Sequence, residues 1–360
     1  MTRPRISFFG SSLVSAYWNG AATYYRGIIR ALHARGYEVT FFEPDAYERQ
    51  QHRDMAEPAW ARVVVYPATH EGLYRALDEG CTADIVVKTS GVGVFDAELE
   101  AEVVARRRPG GLTIFWDVDA PATLERLDDQ PGDPFHALVP RFDLILTYGG
   151  GDPVVAAYTR RGARSCVPIY NALDPETHHP VERDGRYRAH LALLANRLPD
   201  REARIDEFFF RAAALLPDRR FLLGGNGWGD KAMTTNVAYC GHVPTAAHNA
   251  FNSSPLAVLN VNRDSMARFG FSPATRVFEA AGAGACLITD AFRGIEMFLE
   301  PGREVLVAAD GAAVAEALRA LTPDRARAIG AAGRARVLAE HTYAHRIAQL
   351  ELLLALRSAA

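Results

Sequence analysis

Residues 270–290 read GFSPATRVFEAAGAGACLITD, and this stretch decides the fold. A Gly-Phe turn leads into a helical pattern with one acid, Glu279, and small residues then lead into a buried apolar strand. Pro273 suits the first turn of a helix, so we expect free N–H groups near Thr275 to face an anion. Arg276 adds a full charge, and Glu279 follows about one turn along. The alternative is a capped helix with a surface glutamate.

Composition bounds the class of protein. The 360 residues are 49% hydrophobic and 23% charged, which predicts a globular chain of about two domains. A net charge of −3 gives no reason to expect nucleic acid or an anionic membrane as partner. No segment approaches the roughly 18 apolar residues of a spanning helix, and the first apolar run is too short for a signal peptide. Four well-separated cysteines indicate reduced thiols, so we expect a cytoplasmic protein.

Strand and helix patterns alternate along the whole chain. Most strand candidates are continuous apolar runs, which is typical of parallel strands covered on both faces. They lie at 6–10, 39–45, 62–67, 84–90, 112–119, 143–150 and 165–171, and then at 191–196, 220–227, 237–243, 255–262, 285–290 and 304–309. The pattern predicts an α/β protein with two doubly wound, Rossmann-like domains facing a cleft.

The domain boundaries follow from a break in this alternation. Residues 172–190 have a high charge density, two prolines and no apolar period, so they predict an interdomain linker. We therefore expect an amino-terminal domain over 1–175, a carboxyl-terminal domain over 186–340, and a terminal helix over 341–360.

A polar loop follows the first strand. It is about nine residues long, more than the usual two to six, and lacks a GxGxxG dinucleotide motif. Such a loop can line a cleft, and the helix that follows it offers free N–H groups to an anion. The candidates are Gly10, Ser11, Ser12, Asn19 and Gly20. The alternative is a plain connection with Asn19 as the helix N-cap.

Two carboxylates end the apolar strand over 112–119. Asp117 and Asp119 are predicted at the carboxyl end of that strand, where side chains face the crevice of a parallel sheet. Either can serve as a general base or orient a sugar hydroxyl. The alternative is a helix cap and a turn acid.

The second half offers basic and glycine-rich candidates. Arg197 and Arg201 follow its first strand, and the arginine fork suits a diphosphate. Their alternative is solvated arginines with ordinary ion pairs.

Two further strand exits follow in the second half. A strand then leads into Gly225, Asn226 and Gly227, where backbone can approach a phosphate or a ring closely. His242 and Val243 follow the next strand, at a position suited to a nucleobase, although a lone histidine is more often structural.

Residues 270–290, followed by GIEMFLEPGREVLVAAD at 294–310, resemble the carboxyl-terminal domain of group 1 glycosyltransferases of the GT-B fold. Further motifs are similar to the CgeB-like (spore maturation type) bacterial branch: FFGSSLVSAYWNGAATYYRGI, FWDVDAP, IYNALDPETHHP and LANRLPDREAR. The resemblance implies that a nucleotide-diphosphate sugar is the co-substrate and that no metal or other cofactor is needed. It also implies that the terminal helix crosses back onto the first domain.

The resemblance assigns roles to individual residues. Glu279 matches the second acid of the family's glutamate motif, which contacts the donor ribose, while Phe271 stands where the first acid would be. Retention of configuration is therefore not implied. Arg197 and Arg201 lie where the family places basic residues on the diphosphate. We expect Arg197, Thr275 and Arg276 to neutralise the diphosphate as it leaves.

These observations together predict a cytoplasmic bacterial glycosyltransferase for hexosyl or related transfer. Residues 195–290 hold the donor, and loops after Gly10, Ser90, Asp117 and Tyr148 hold an unknown acceptor, which is a small molecule, a glycan or a protein. One alternative is a nucleotide-sugar epimerase of the same fold. Another is a non-catalytic spore or envelope protein that keeps the fold.

Overall fold

The structure of the protein, a computed structural model, describes residues 3–17 and 19–358. It divides into two compact units. Unit 1 holds the residues up to Tyr170 together with those from Tyr343 onwards, and unit 2 holds Asn171–Thr342. The segment 172–190, predicted as a linker, lies within unit 2. The predicted terminal helix belongs to unit 1, and its last two residues lie outside the described residues.

Unit 1 is built around a parallel sheet of seven described strands in the order β3-β2-β1-β4-β5-β6-β7. The strands are β1 Arg5–Phe9, β2 Glu38–Asp45, β3 Arg62–Pro67, β4 Ile85–Thr89, β5 Leu112–Asp117, β6 Leu144–Thr147 and β7 Cys166–Pro168. The helices are α1 Ala22–Ala34, α2 His70–Gly80, α3 Asp96–Ala105, α4 Ala120–Asp129, α5 Phe135–Leu138, α6 Gly151–Arg160 and, at the carboxyl end, α14 Tyr343–Ser358.

Unit 2 repeats this plan with six described parallel strands in the order β10-β9-β8-β11-β12-β13. The strands are β8 Leu191–Leu194, β9 Phe221–Gly224, β10 Val237–Tyr239, β11 Ala257–Asn260, β12 Leu287–Asp290 and β13 Leu306–Ala308. The helices are α7 Pro199–Ile205, α8 Arg211–Leu215, α9 His248–Ser253, α10 Asp264–Phe269, α11 Thr275–Gly282, α12 Gly311–Ala320 and α13 Pro323–Glu340, with a π-helical segment at Asp206–Phe210.

Burial explains why these segments are strands. All residues of β4, β8, β9, β11 and β12 are buried, as expected for parallel strands with helices on both faces. The predicted α/β fold with two doubly wound units is confirmed.

Several strands end earlier than predicted, and in two strands of unit 2 a glycine gives the reason. The strand predicted over 220–227 ends at Gly224. Gly225 has a φ of 118°, which is incompatible with the extended backbone of a β-strand. The one predicted over 237–243 ends at Tyr239, shortly before Gly241 with a φ of 73°.

The strand orders locate a switch point in each unit. The chain reverses its direction across the sheet between β1 and β4 in unit 1, and between β8 and β11 in unit 2. In open parallel sheets, ligands bind beyond the carboxyl ends of the strands at such points. The loops after β8 and β11 and the helices that follow them are therefore the first place to examine in unit 2.

Candidate functional site

The amino end of α11 lies in this region and is open to a ligand. α11 begins at Thr275 after the N-cap Ala274, no side chain caps it, and its first turn contains no acid. Pro273 therefore precedes the helix rather than filling its first turn. The reason is that its carbonyl accepts a hydrogen bond of 3.1 Å from Asn171 Nδ2, which holds it outside the helix. Thr275 Oγ1 donates to Asn171 Oδ1 at 3.3 Å, so one buried asparagine fixes both sides of the helix start.

The loop before α11 is held in a strained shape. Gly270 has a φ of 72° and Phe271 a φ of 49°, which is unfavourable for a residue with a side chain. Phe271 N donates to Arg293 O at 2.6 Å. Gly294 has no room for a side chain, since a Cβ there would lie 2.3 Å from Phe271 Cδ1. The turn thus sets the direction in which α11 starts.

Arg276 projects from the first turn of α11 without a hydrogen bond in the described part of the chain. Its side chain is 17% exposed, and Nη1 is buried without a partner. Glu279 Oε2, at 3.9 Å, is the only carboxylate oxygen within 4.0 Å of it among the described residues. Burial lowers the pKa of Arg276, although the Glu279 charge acts in the opposite direction. A buried cation with no hydrogen bond and one carboxylate at 3.9 Å is suited to an anionic ligand.

Arg201, near the start of α7, is a second such cation. Its Nε is buried without a partner, and no ion pair to its guanidinium occurs among the described residues. Burial and then the charge of Arg276 lower the pKa of Arg201 to about 10. Two repelling arginines beside a free helix terminus match the charge and donor pattern of a phosphate group.

Arg197 is placed differently from Arg201. Its Nε and Nη2 each donate to Glu202 at 2.8 Å, and Nη1 donates to Asp230 at 2.9 Å. These two carboxylates raise the pKa of Arg197. The ordinary ion pairs that were the alternative for both arginines are thus present at Arg197, while Arg201 has none in the described structure.

Glu279 lies one turn into α11 and is 7% exposed. No described residue donates a hydrogen bond to its carboxylate. Burial acts to raise its pKa, but the nearby His178 and Arg276 hold that pKa below the usual value, so the group is ionised. His178 Nε2 is 3.7 Å from Glu279 Oε1, and a ring nitrogen of His248 completes a group within 4.8 Å. The same three side chains are also possible metal ligands, and the absence of a metal stays a prediction.

The glycine-rich loop after β9 packs against the loop after β8. A Cβ on Gly225 would lie 2.1 Å from Ala195 O, and one on Gly227 would lie 3.1 Å from Arg197 Cβ. Asn226 N donates to Asn196 Oδ1 at 2.9 Å. Close backbone packing therefore accounts for both glycines, and contact with a donor stays a prediction.

His242 and Val243 do not share one environment. His242 is exposed, whereas Val243 is 3% exposed and packs with Leu222 and Phe251 in the core of unit 2. The backbone of Val243 has a role instead, because its carbonyl lies 3.2 Å from His248 Nε2. The histidine that meets Glu279 is thus His248, five residues further along the chain.

The two candidate bases of unit 1 differ in accessibility. Asp117 is fully buried, and its carboxylate accepts hydrogen bonds from Tyr158 Oη at 2.5 Å, Thr123 Oγ1 at 3.1 Å and Asp119 N at 3.0 Å. Burial raises the pKa of Asp117. Asp119, the N-cap residue of α4, is half-buried. This geometry gives Asp117 a structural role and favours Asp119 as the group that reaches a substrate.

The polar loop after β1 is held mainly by its own side chains. Ser11 Oγ donates to Asn19 Oδ1 at 3.0 Å, and Asn19 Nδ2 donates to Ser12 O at 2.8 Å and Ser15 O at 3.1 Å. Asn19 is therefore not the N-cap of α1. That position is occupied by Ala21, because these loop contacts draw the asparagine side chain away from the helix.

The ends of this loop have separate constraints. Gly10 meets Phe41, whose Cζ would lie 2.4 Å from an added Cβ, and Ser12 Oγ donates to Glu43 Oε1 at 2.9 Å. Gly20 is exposed with open space around it. Of the five residues, Gly20 alone presents an open surface, and contact of the others with an acceptor stays a prediction.

Three residues of the site were missed from the sequence: Asn171, His178 and His248. Asn171 directly precedes the segment 172–190 that was interpreted as a linker, and His178 lies within it. A signal was available in the small residues of α11. Gly282 has no room for a Cβ, which would lie 2.3 Å from Leu173 Cδ1 and 3.1 Å from His178 O. The small residues of α11 thus allow the segment that carries His178 to pack closely against this helix.

The fold and part of the sequence match known proteins. Residues 201–351, which include Arg201, Arg276 and Glu279, match the family described as Glycosyl transferase-like. Sucrose-phosphate synthase from Thermosynechococcus elongatus has a similar structure, with a TM-score of 0.71 and 17% identity over 99% of this chain and 100% of that one. HepE from Anabaena, solved with UDP-glucose, has a TM-score of 0.66 and 14% identity over 98% and 99%.

This chain has the GT-B fold. An alpha-glucosyltransferase solved with UDP-glucose and DNA containing an abasic site has the same architecture, with a TM-score of 0.72 and 11% identity over 98% of this GT-B chain and all of that one (100%). No curated protein sequence matched the chain significantly. Among the described helices, none combines the length and apolar character needed to cross a membrane.

Proposed function

We propose that this GT-B protein is a glycosyltransferase that takes a sugar from a nucleotide-diphosphate donor bound by unit 2. The observation that carries the proposal is a pair of arginines, Arg201 and Arg276, whose buried nitrogens have no hydrogen bond, at the uncapped start of α11. Glu279 follows one turn later with an ionised, unbonded carboxylate. Cations, free N–H groups and a carboxylate in this sequence match a diphosphate followed by the hydroxyls of a ribose.

The leaving diphosphate is the step these residues serve. As the bond from sugar to diphosphate breaks, negative charge grows on the diphosphate, and fixed cations in a buried site stabilise that charge. Arg201, Arg276 and the α11 terminus supply this stabilisation, with Thr275 at the helix start. We therefore propose that transfer proceeds without a metal ion, and activity that persists in excess EDTA is the expected result.

The acceptor side is assigned more coarsely. The loops after β1, β4 and β5 of unit 1 are the proposed acceptor region, with Asp119 as the base if the reaction inverts configuration. Hexosyl transfer and the CgeB-like branch are finer proposals that rest on the sequence motifs alone.

A thermal-shift screen tests the proposal. The protein is melted with UDP, GDP, ADP, CMP and dTDP, with Glu279→Ala as the paired variant. A ligand that binds only the folded state raises the melting temperature, so we expect one nucleoside diphosphate to give a shift that Glu279→Ala reduces. We expect this variant to lower affinity at least about ten-fold, or about 1.4 kcal/mol. No shift with any nucleotide would overturn the transferase assignment.

A further inference from the structure

The sheet of unit 1 has one long edge, which is formed by β3. This strand has six residues and pairs only with β2, whereas the other edge strands of the two described sheets, β7, β10 and β13, have three residues each. Within the described part of the chain, no residue outside β2 forms a hydrogen bond with the backbone of residues 63–66. Alternate residues of an edge strand direct N–H and C=O groups away from the sheet, where another strand can pair with them.

β3 lacks the features that usually protect an edge. Its middle consists of three half-buried valines at 63–65, and a charge or a proline occurs only at its ends, in Arg62 and Pro67. The β7 edge is different, because it contains Pro168, whose carbonyl accepts a hydrogen bond of 3.2 Å from Gln349 Nε2 in α14. Apolar edges without such protection pair readily with a further strand.

A groove runs beside this edge, between β3 and α2. Apolar residues of both elements line it together with charged side chains of α2, namely Val64, Val65, Ala76, Glu71, Arg75 and Glu79. A strand added to β3 would extend the sheet under this groove, and its side chains on the α2 face would remove the apolar part from water.

The charges along the groove form one ion pair near each end of β3. At the amino end, Arg62 pairs with Glu79. Arg75 pairs with Glu71, which lies near the carboxyl end of β3, because both Glu71 and Pro67 line the groove there. These four charged side chains are between 46% and 78% exposed, so they are free to exchange partners.

This arrangement is complementary to itself. When two copies pair antiparallel about a twofold axis, the amino end of one β3 lies beside the carboxyl end of the other. Arg62 of one copy then meets Glu71 of the second copy, and Glu79 meets Arg75, so each cation has an anion across the interface. Electrostatic complementarity of this kind selects a partner, and here it favours a second copy over an unrelated strand.

We propose that β3 is the interface of a homodimer, in which the β3 strands of two copies pair antiparallel and join two seven-stranded sheets into one. None of the interface residues belongs to the proposed donor or acceptor region, so this inference and the proposed function fail independently. Pairing of one six-residue strand with its flanking helix is smaller than a standard interface, so we expect a dissociation constant on the order of 10 µM.

Sedimentation velocity over a concentration series tests the dimer. The mass of the wild type should rise from the 39.4 kDa of one chain towards twice that value. Val64→Lys places a lysine in the middle of the edge in both copies and should weaken association at least about thirty-fold. The matched control is Val307→Lys, at a 38% exposed position of the edge strand β13 in unit 2, which should associate like the wild type. A wild type that stays monomeric, or a dimer that Val64→Lys leaves intact, overturns the inference.

A charge exchange tests the antiparallel twofold arrangement, with variants at exposed positions that do not disturb the core. Arg62→Glu alone, or Glu71→Arg alone, places like charges opposite each other at both ends of the dimer, and each should weaken association about five-fold. An equimolar mixture of the two variants restores opposite charges at both ends and should associate like the wild type. A mixture that dissociates as readily as the separate variants would contradict this arrangement.

Discussion

The two units share a strand order but treat their buried charges differently. At the switch point of unit 1, Glu43 accepts hydrogen bonds from Ser12, Leu13 and Gln50, and Lys88 pairs with Asp96 at 2.7 Å. At that of unit 2, the side chains of Arg276 and Glu279 make no hydrogen bond within the described residues and lie 3.9 Å apart. Burying a charge without hydrogen-bond partners costs free energy, so Arg276 and Glu279 are suited to a ligand that supplies partners, whereas Glu43 and Lys88 already have theirs.

The largest expected effect is a loss of stability in unit 1. Glu43→Ala leaves Ser12 Oγ, Leu13 N and Gln50 Nε2 without their acceptor in a fully buried place. We expect the free energy of unfolding to fall by about 3 kcal/mol, measured by chemical denaturation. Glu43→Gln keeps one acceptor oxygen and should lose less. A Glu43→Ala protein as stable as the wild type would remove the contrast between the units.

In unit 2, the comparison predicts a loss of binding rather than of stability. Arg276→Gln should weaken the nucleoside diphosphate about thirty-fold, or about 2 kcal/mol, while the melting temperature of the free protein stays level or rises. The control is Arg197→Gln, whose arginine is already paired with Glu202 and Asp230 and should change affinity less than about three-fold. Equal losses in the two variants would contradict the assignment.

The pH dependence of unit 1 follows from Glu100, which is 4% exposed. Burial raises the pKa of this carboxyl to about 7, against about 4.5 in the unfolded chain. The folded state therefore binds the extra proton between these values, and stability falls as pH rises. From pH 5.5 to 7.5 we expect a loss of about 2 kcal/mol that Glu100→Gln removes. Glu102→Gln, at a half-buried position of α3, should keep the wild-type slope.

His248 gives unit 2 the opposite and smaller dependence. Its pKa of about 4 lies below the unfolded value of 6.5, so the unfolded chain binds the extra proton and stability falls as pH falls through this range. From pH 7.5 to 5.5 we expect a loss of about 1 kcal/mol. His248→Gln should flatten this part of the profile, and an unchanged profile would show that His248 is not neutral in the folded protein.

Sequence reasoning found the architecture because strand periodicity is a local property. The apolar runs placed every described strand of both sheets. Most predicted strands ran past their observed ends, in one case because Gly225 turns the chain. Sequence reasoning also selected Arg276 and Glu279, because their spacing along one helix suggested a role in donor binding.

What escaped the sequence depends on tertiary contacts. His178 lies in a polar segment without periodicity, and tertiary contacts such as the packing of Leu173 on Gly282 bring it to Glu279. Asp117 looked like a crevice acid because it ends a strand, but Tyr158 and Thr123 enclose it. Arg197 and Arg201 were equivalent in sequence, and only the positions of Glu202 and Asp230 distinguish them.

The central claim is that the unpaired charges of unit 2 bind a diphosphate, and one titration tests it most directly. The nucleoside diphosphate that most stabilises the protein is titrated against its own nucleoside, with wild type and the double variant Arg201→Gln/Arg276→Gln. We predict that the diphosphate adds at least about 100-fold to the affinity of the wild type, or about 2.7 kcal/mol, and that the double variant loses most of this gain. A nucleoside that binds the wild type as tightly as its diphosphate would contradict the account.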